Sequence, residues 1–256
     1  MRVTVCEMSH EEDDFVRNWE GLVDHVKTQK SDLVLLPEMA FYRWIPLKRP
    51  FDSAVWQAAV ASHDVWESRF RELAPALVLG TRPVNRKGKR MNEAFVWGAE
   101  EGVRVAHKKF YIPDEEGFWE ASWYERGNGV FTPSRIRGVM IGFAICTDIW
   151  FFQHSRNYGK QGVHLIAHHR ATQRVNLDKW LVAGRAAAVV SGAFCLSSNH
   201  VNPRGQEPSL GGMGWIVEPD GDVLGLTSQE EPFVTREINL QDVDRAKKTY
   251  PRYVLE

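Results

Sequence analysis

The chain has 256 residues, 43% of them hydrophobic and 25% charged, enough for one large domain or two small ones. Its 32 Lys and Arg against 33 Asp and Glu leave a net charge of -1, so no basic excess points to nucleic acid and no acidic block to a solvating tail. Three widely spaced cysteines (Cys6, Cys146, Cys195) without CxxC pairing argue against a disulfide framework or a zinc ribbon and for a reducing compartment.

The first residues read as a strand over 3–6 and not as a signal segment. No apolar run approaches the roughly 20 residues that cross a bilayer, so a cytoplasmic protein with no membrane partner is expected. Ser9 and Glu12 form a capping box that should start a helix over 9–27, with Phe15, Trp19, Leu22, Val23 and Val26 on one face. Residues 33–36 are a continuous apolar strand, which makes a βαβ opening. Glu38 follows at the carboxyl end of that strand, where open α/β sheets place their sites.

A helix is expected over 53–73. Strands over 77–83, 92–97 and 103–107, joined by polar and Gly-containing turns, read as an antiparallel meander. An aromatic and acidic loop then leads to a strand over 138–146, which ends abruptly at Cys146. A helix over 148–159, a strand over 163–168, a helix over 177–190 and a strand over 193–198 continue the alternation. The Pro219-Asp220-Gly221-Asp222 turn separates two hairpin strands, residues 233–238 form a last strand, and the charged tail over 241–256 holds a short helical stretch. No repeat or linker interrupts the chain, so one domain over 1–256 is expected.

Glu38, Lys109 and Cys146 each follow a strand. Alone, each has a plainer reading, as a helix-start charge, a solvated lysine and a core thiol. Together they form a set suited to covalent catalysis. His168-His169 invites a metal reading, but adjacent strand residues point to opposite faces, so neither a metal nor another cofactor is expected.

The local contexts carry a resemblance. Leu33-Val34-Leu35-Leu36-Pro37-Glu38, Lys108-Lys109-Phe110-Tyr111-Ile112-Pro113 and Gly142-Phe143-Ala144-Ile145-Cys146-Thr147-Asp148 occur in one order. Trp180, Arg185-Ala186, Asn199 and the Glu218-Pro219-Asp220-Gly221 turn agree. In these motifs the chain resembles the nitrilase, or carbon–nitrogen hydrolase, superfamily over nearly its whole length.

The resemblance implies an α/β (α+β) fold, a four-layer α-β-β-α sandwich that pairs into a homodimer or higher homo-oligomer. It implies Cys146 as nucleophile, Glu38 as general base and acid, and Lys109 with the Thr147 backbone N–H as oxyanion donors. A second glutamate that positions substrate is matched to Glu120, with Glu125 as rival. Cys146-Thr147-Asp148 looks like the amidase and carbamoylase branches, so a small-molecule linear amide is the expected substrate. A nitrile or an N-carbamoyl compound is the runner-up, and a catalytically inactive binding relative is the alternative outside enzymes. Ile149-Trp150 stand where carbamoyl-amino-acid branches keep arginines. Tyr42, Trp119, Trp150 and Arg170 are candidates for the pocket. Phe152, Gln153, Ala188, Val189 and Gly214 depart from the family pattern.

Overall fold

Strands buried on both faces build two sheets, and helices cover their outer faces. In the computed structural model, which describes residues 1–254, strand β1 (Arg2–Ser9) is followed by helix α1 (Glu12–Gln29), strand β2 (Leu33–Leu35) and helix α2 (Ser53–Glu67). Strands β3 (Leu77–Arg86), β4 (Lys89–Gly98) and β5 (Gly102–Lys108) form the expected meander. The one-turn helix α3 (Glu120–Trp123) precedes a hairpin of β6 (Ser134–Ile136) and β7 (Val139–Ile145). Next come α4 (Phe152–Lys160), β8 (Leu165–Arg170), α5 (Leu177–Ser191) and β9 (Phe194–Val201). Strands β10 (Trp215–Val217), β11 (Val223–Leu226) and β12 (Phe233–Glu237) and helix α6 (Leu240–Ala246) follow.

One sheet runs β12-β1-β2-β3-β4-β5, with β1, β2 and β3 parallel. The other runs β6-β7-β8-β9-β10-β11, with β7, β8 and β9 parallel. Strand β1 belongs to both: Val3–Val5 pair with β2, whereas Glu7–Ser9 pair with Asn199–Val201 of β9.

Alternation assigns each face to a layer. Val3, Val5, Leu33, Leu35, Leu77 and Leu79 meet Ile141, Phe143, Ile145, Leu165 and Leu196 between the sheets. The intervening residues Val34, Leu36 and Val78 face out against Phe15, Trp19, Leu22 and Phe70. On the far side Ala144, Ile166 and Cys195 pack on Tyr158 of α4 and Ala183, Ala187 and Ala188 of α5. The result is the four-layer α-β-β-α sandwich.

Three local expectations change. The Ser9 capping box does not form: Ser9 stays in β1, paired with Val201, and α1 begins at Glu12 without a side-chain cap. The helix expected over 53–73 becomes the 3-10 helix Ser68–Leu73 after α2. The helix expected from 148 is preceded by a 3-10 turn, Cys146–Trp150, which lets Cys146 leave the strand at once. In the tail, α6 accounts for the short helical stretch, and residues 255–256 lie outside the described residues.

No helix among the described residues is long and apolar enough to cross a membrane.

Candidate active site

Glu38, Lys109 and Cys146 come together between the carboxyl ends of the strands that carry them. Lys109 Nζ lies 2.8 Å from Glu38 Oε1 and 2.5 Å from Glu120 Oε2, with all three side chains fully buried. Asn92 Nδ2 donates to Glu38 Oε1 at 2.7 Å, and the Tyr124 hydroxyl donates to Glu120 Oε2. Among the described residues Glu38 Oε2 has no hydrogen-bond partner, and the Cys146 thiol is among the groups that lower that carboxyl.

Two carboxylates sharing one ammonium cannot both be fully compensated in a dry site. Burial accordingly raises Glu38 above the usual carboxylate range, although Lys109 opposes the shift. Burial raises Glu120 to about 7, again against Lys109, and the neighbouring Glu38 pushes it further up. Burial alone would lower Lys109, but Glu120 and Glu38 outweigh it and hold the ammonium well above its ordinary value. The Cys146 thiol is pushed up by burial, with Lys109 and a backbone hydrogen bond involving Ala171 working the other way. A thiol so placed stays protonated until a base takes its proton.

Cys146 has φ 47, a left-handed conformation that costs a non-glycine residue about 1–2 kcal/mol. Thr147 is the second residue of the 3-10 turn, where N–H groups lack intrahelical partners. Both residues, with Glu120, line a cavity of about 350 Å³ walled by Phe118, Trp150 and Trp180.

Other polar groups hold this arrangement. Asp148 Oδ1 accepts from the backbone N–H groups of Phe110 and Tyr111, at 3.2 and 3.0 Å. Its Oδ2 accepts from Ile145 N at 3.1 Å and lies 3.0 Å from His107 Nε2. Three buried histidines donate to main-chain oxygens beside the site: His168 to Cys146, His169 to Leu36 and His200 to Glu38. His168 and His169 do point to opposite faces, His168 against Trp180 and Trp215 and His169 against Phe143.

Among the candidates for the pocket, Trp150 lines the cavity and is 39% exposed. Tyr42, Trp119 and Arg170 are not part of its lining. Tyr42 packs with Met39 and Trp56, and Trp119 sits under the Arg49 guanidinium. Arg170 is buried over the Trp215 ring, donating to Ser197 Oγ, Thr172 Oγ1 and Met213 O, so its guanidinium is engaged inside the protein and away from the cavity. Glu120 is buried against Lys109, whereas Glu125 pairs with Lys89 at the surface.

Of the departures, Gly214 has a direct cause, since a Cβ there would stand 2.8 Å from the Ser197 carbonyl oxygen. Ala188 is buried in the outer layer beside Ala187. Asn92, Tyr124 and the supporting histidines were not legible as site residues. Their signal was a polar residue at a buried strand or helix position, which sequence shows only once burial is known.

The four layers and the buried Glu-Lys-Cys cluster at the strand ends define a carbon–nitrogen hydrolase. The family model described as "Carbon-nitrogen hydrolase" matches residues 2–248, and the chain belongs to that family. It is 22% identical over 244 residues to omega-amidase NIT2 of Bos taurus, covering 90% of this chain and 85% of that protein. Its structure is similar to a carbon–nitrogen hydrolase from Helicobacter pylori G27, with TM-score 0.86 and 18% identity over 98% of this chain and 94% of the other. It is also similar to a mutant amidase from Nesterenkonia sp. AN1, captured with acrylamide added at its active-site cysteine. There the TM-score is 0.73 at 19% identity, over 94% of this chain and 96% of that one.

Proposed function

We propose that this chain hydrolyses the C–N bond of a small linear amide through a thioester on Cys146. The observation that carries this reading is the juxtaposition of Lys109 Nζ with Glu38 Oε1 at 2.8 Å beside a cysteine that opens onto a cavity. The names of the relatives, an omega-amidase and an amidase with an active-site cysteine, support the amide as substrate class.

In this reading Glu38 takes the thiol proton on its unpartnered Oε2 as Cys146 Sγ attacks the amide carbon. Lys109 Nζ and the Thr147 N–H hold the oxyanion, a contribution of roughly 3 kcal/mol for one such donor. The proton on Glu38 passes to the leaving nitrogen, the C–N bond breaks, and ammonia or an amine departs. Glu38 then takes a proton from water, the resulting hydroxide attacks the thioester, and the acid leaves as the thiol is reprotonated. A carboxyl raised above its usual range by burial suits both halves of this cycle. Glu120 orients the ammonium and the substrate nitrogen.

We also infer a cytoplasmic homo-oligomer joined through the outer layer, where Val182 of α5 stands 63% exposed. Phe151 and Phe152, at the start of α4, are half-buried within their own chain, Phe151 stacked on Tyr111.

The test is ammonia release from a panel of primary amides, with intact-mass analysis of trapped protein. Wild type should release ammonia and carry an acyl adduct at Cys146, and Cys146→Ala should do neither while remaining folded. Turnover by the Ala variant at the wild-type rate would refute the mechanism. Acid and ammonia from nitriles, or amine and carbon dioxide from carbamoyl compounds, in place of amide turnover would point to the runner-up chemistries.

A further inference from the structure

The charges around the cavity are one-sided. Among the described residues, the charged side chains lining it are Asp114, Glu115 and Glu120, all carboxylates. The cations closest to the buried end of the cavity are committed elsewhere. Lys109 is held between Glu38 and Glu120, and Arg170 is buried and turned onto Trp215, each of its three nitrogens donating one hydrogen bond within the protein. Arg174, one residue past the lining Gln173, donates to the carbonyl oxygens of Asn202 and Leu210. Arg49 at the rim faces Asp114 at 3.5 Å. That leaves Glu115 with no ion pair among the described residues, and its side chain is exposed at the mouth.

The remaining wall suits a cation as well. Trp150 and Trp180 stand with ring centroids 5.2 Å apart on one side of the cavity, and Gln173 and Asn176 offer amide oxygens. Indole faces and carboxylates attract an ammonium and repel a carboxylate. At about 350 Å³ the cavity holds a molecule of a few carbons beyond the scissile amide.

Resting on the amidase reading, we propose that the substrate is a short amide whose far end carries a protonated amine, recognised by Glu115 and the Trp150–Trp180 wall. An amide ending in a carboxylate would meet the Glu115 charge and find no guanidinium or ammonium among the described residues that line the cavity.

The test compares 5-aminopentanamide, pentanamide and glutaramate, which share a similar length and differ in end charge. For the wild-type protein kcat/KM should fall in that order, about tenfold per step at low salt, as expected for one charge acting across a few ångströms of partly hydrated space. Glu115→Gln should shrink the preference for the amine over the neutral amide at least threefold, on the order expected for loss of an exposed charge at the mouth of a cavity. Binding of the same three amides to Cys146→Ala is measured by calorimetry, because it needs no turnover. Turnover of glutaramate as fast as 5-aminopentanamide, equal or tighter binding of glutaramate, or an unchanged preference in Glu115→Gln would overturn the proposal. If no amide is turned over yet binding keeps the expected order, the amidase reading falls and the charge preference stands.

Discussion

Asp148 and His107 meet at 3.0 Å across the gap between the two sheets, joining the end of β5 to the turn that follows β7. The same carboxylate holds the main chain at Ile145, Phe110 and Tyr111, so the residues on either side of Lys109 and Cys146 are fixed to one buried group. Removing it orphans several buried donors at once. Asp148→Ala should lose about 3 kcal/mol or more of stability and most of its kcat, because each unsatisfied buried donor costs about 1–3 kcal/mol. Asp148→Asn, which keeps one acceptor oxygen, should lose less. Urea unfolding and amide turnover measured on both variants check the order, and equal losses would show that the acceptor count is irrelevant.

The left-handed conformation of Cys146 separates catalysis from stability. Glycine adopts that conformation freely, whereas alanine does not. Cys146→Gly should therefore be more stable than Cys146→Ala by about 1 kcal/mol, the reverse of the usual ranking, with both inactive. Thermal and urea unfolding of the two variants decide it, and an alanine variant more stable than the glycine one would show the site to be unstrained.

Buried neutral histidines set the acid limit. Burial lowers His63 and His169 to about 4 and His200 to about 3. A group whose folded pKa is depressed contributes stability above its unfolded value near 6.5 and loses it as pH falls toward the folded value. Near pH 5 the unfolded chain binds most of these protons and the folded chain few, which gives a slope of up to about 4 kcal/mol per pH unit from three such groups. Urea midpoints at pH 7, 6 and 5 should fall steeply, and His200→Asn should be less steep. A wild-type midpoint independent of pH over this range would contradict the expectation.

Glu120 works in the opposite direction. Its folded pKa of about 7 lies above the ordinary carboxylate value of 4.5, so its contribution is fully present below pH 4.5 and is lost as pH rises through 7. Compared with wild type, Glu120→Gln should gain relative stability as pH rises from 5 to 8. A constant difference between the two proteins across that range would mean that Glu120 is not shifted.

Gly142 in β7 leads to the cysteine, and a Cβ there would lie 2.6 Å from the Tyr158 ring. The Tyr158 hydroxyl donates to Phe143 O and accepts from Phe143 N, so the ring cannot retreat without breaking both bonds. Gly142→Ala should cost about 1–3 kcal/mol, the range for an overpacked core. A melting temperature equal to wild type would show that the α4 side yields easily.

The elements with strong local signals were legible before the structure. The apolar runs ending at Glu38 and Cys146 are strands with continuous buried faces, and the β3-β4-β5 meander has turn chemistry at each corner. Strand β6 was missed because Ser134-Arg135-Ile136 offers one apolar residue and no alternation long enough to detect. Ser9 looked like a helix cap because its competing partner, Val201, is 192 residues away. The triad positions carried their own motifs, whereas the pocket did not. Arg170 was a candidate for the pocket by its position after a strand, with a surface arginine as the equal reading, and only packing over Trp215 shows where its guanidinium goes.

Strand β1 pairs with β2 along Val3–Val5 and with β9 along Glu7–Ser9. Glu38 and Lys109 follow strands of one sheet, and Cys146 follows a strand of the other. The nucleophile and its base are thus inherited from opposite halves of the molecule, whose shared strand, the eight-residue β1, forms the backbone seam between them. The chemistry is consequently a gauge of that seam: a slip of either half along β1 would part sulfur from carboxylate while each half kept its own hydrogen-bonded ladder.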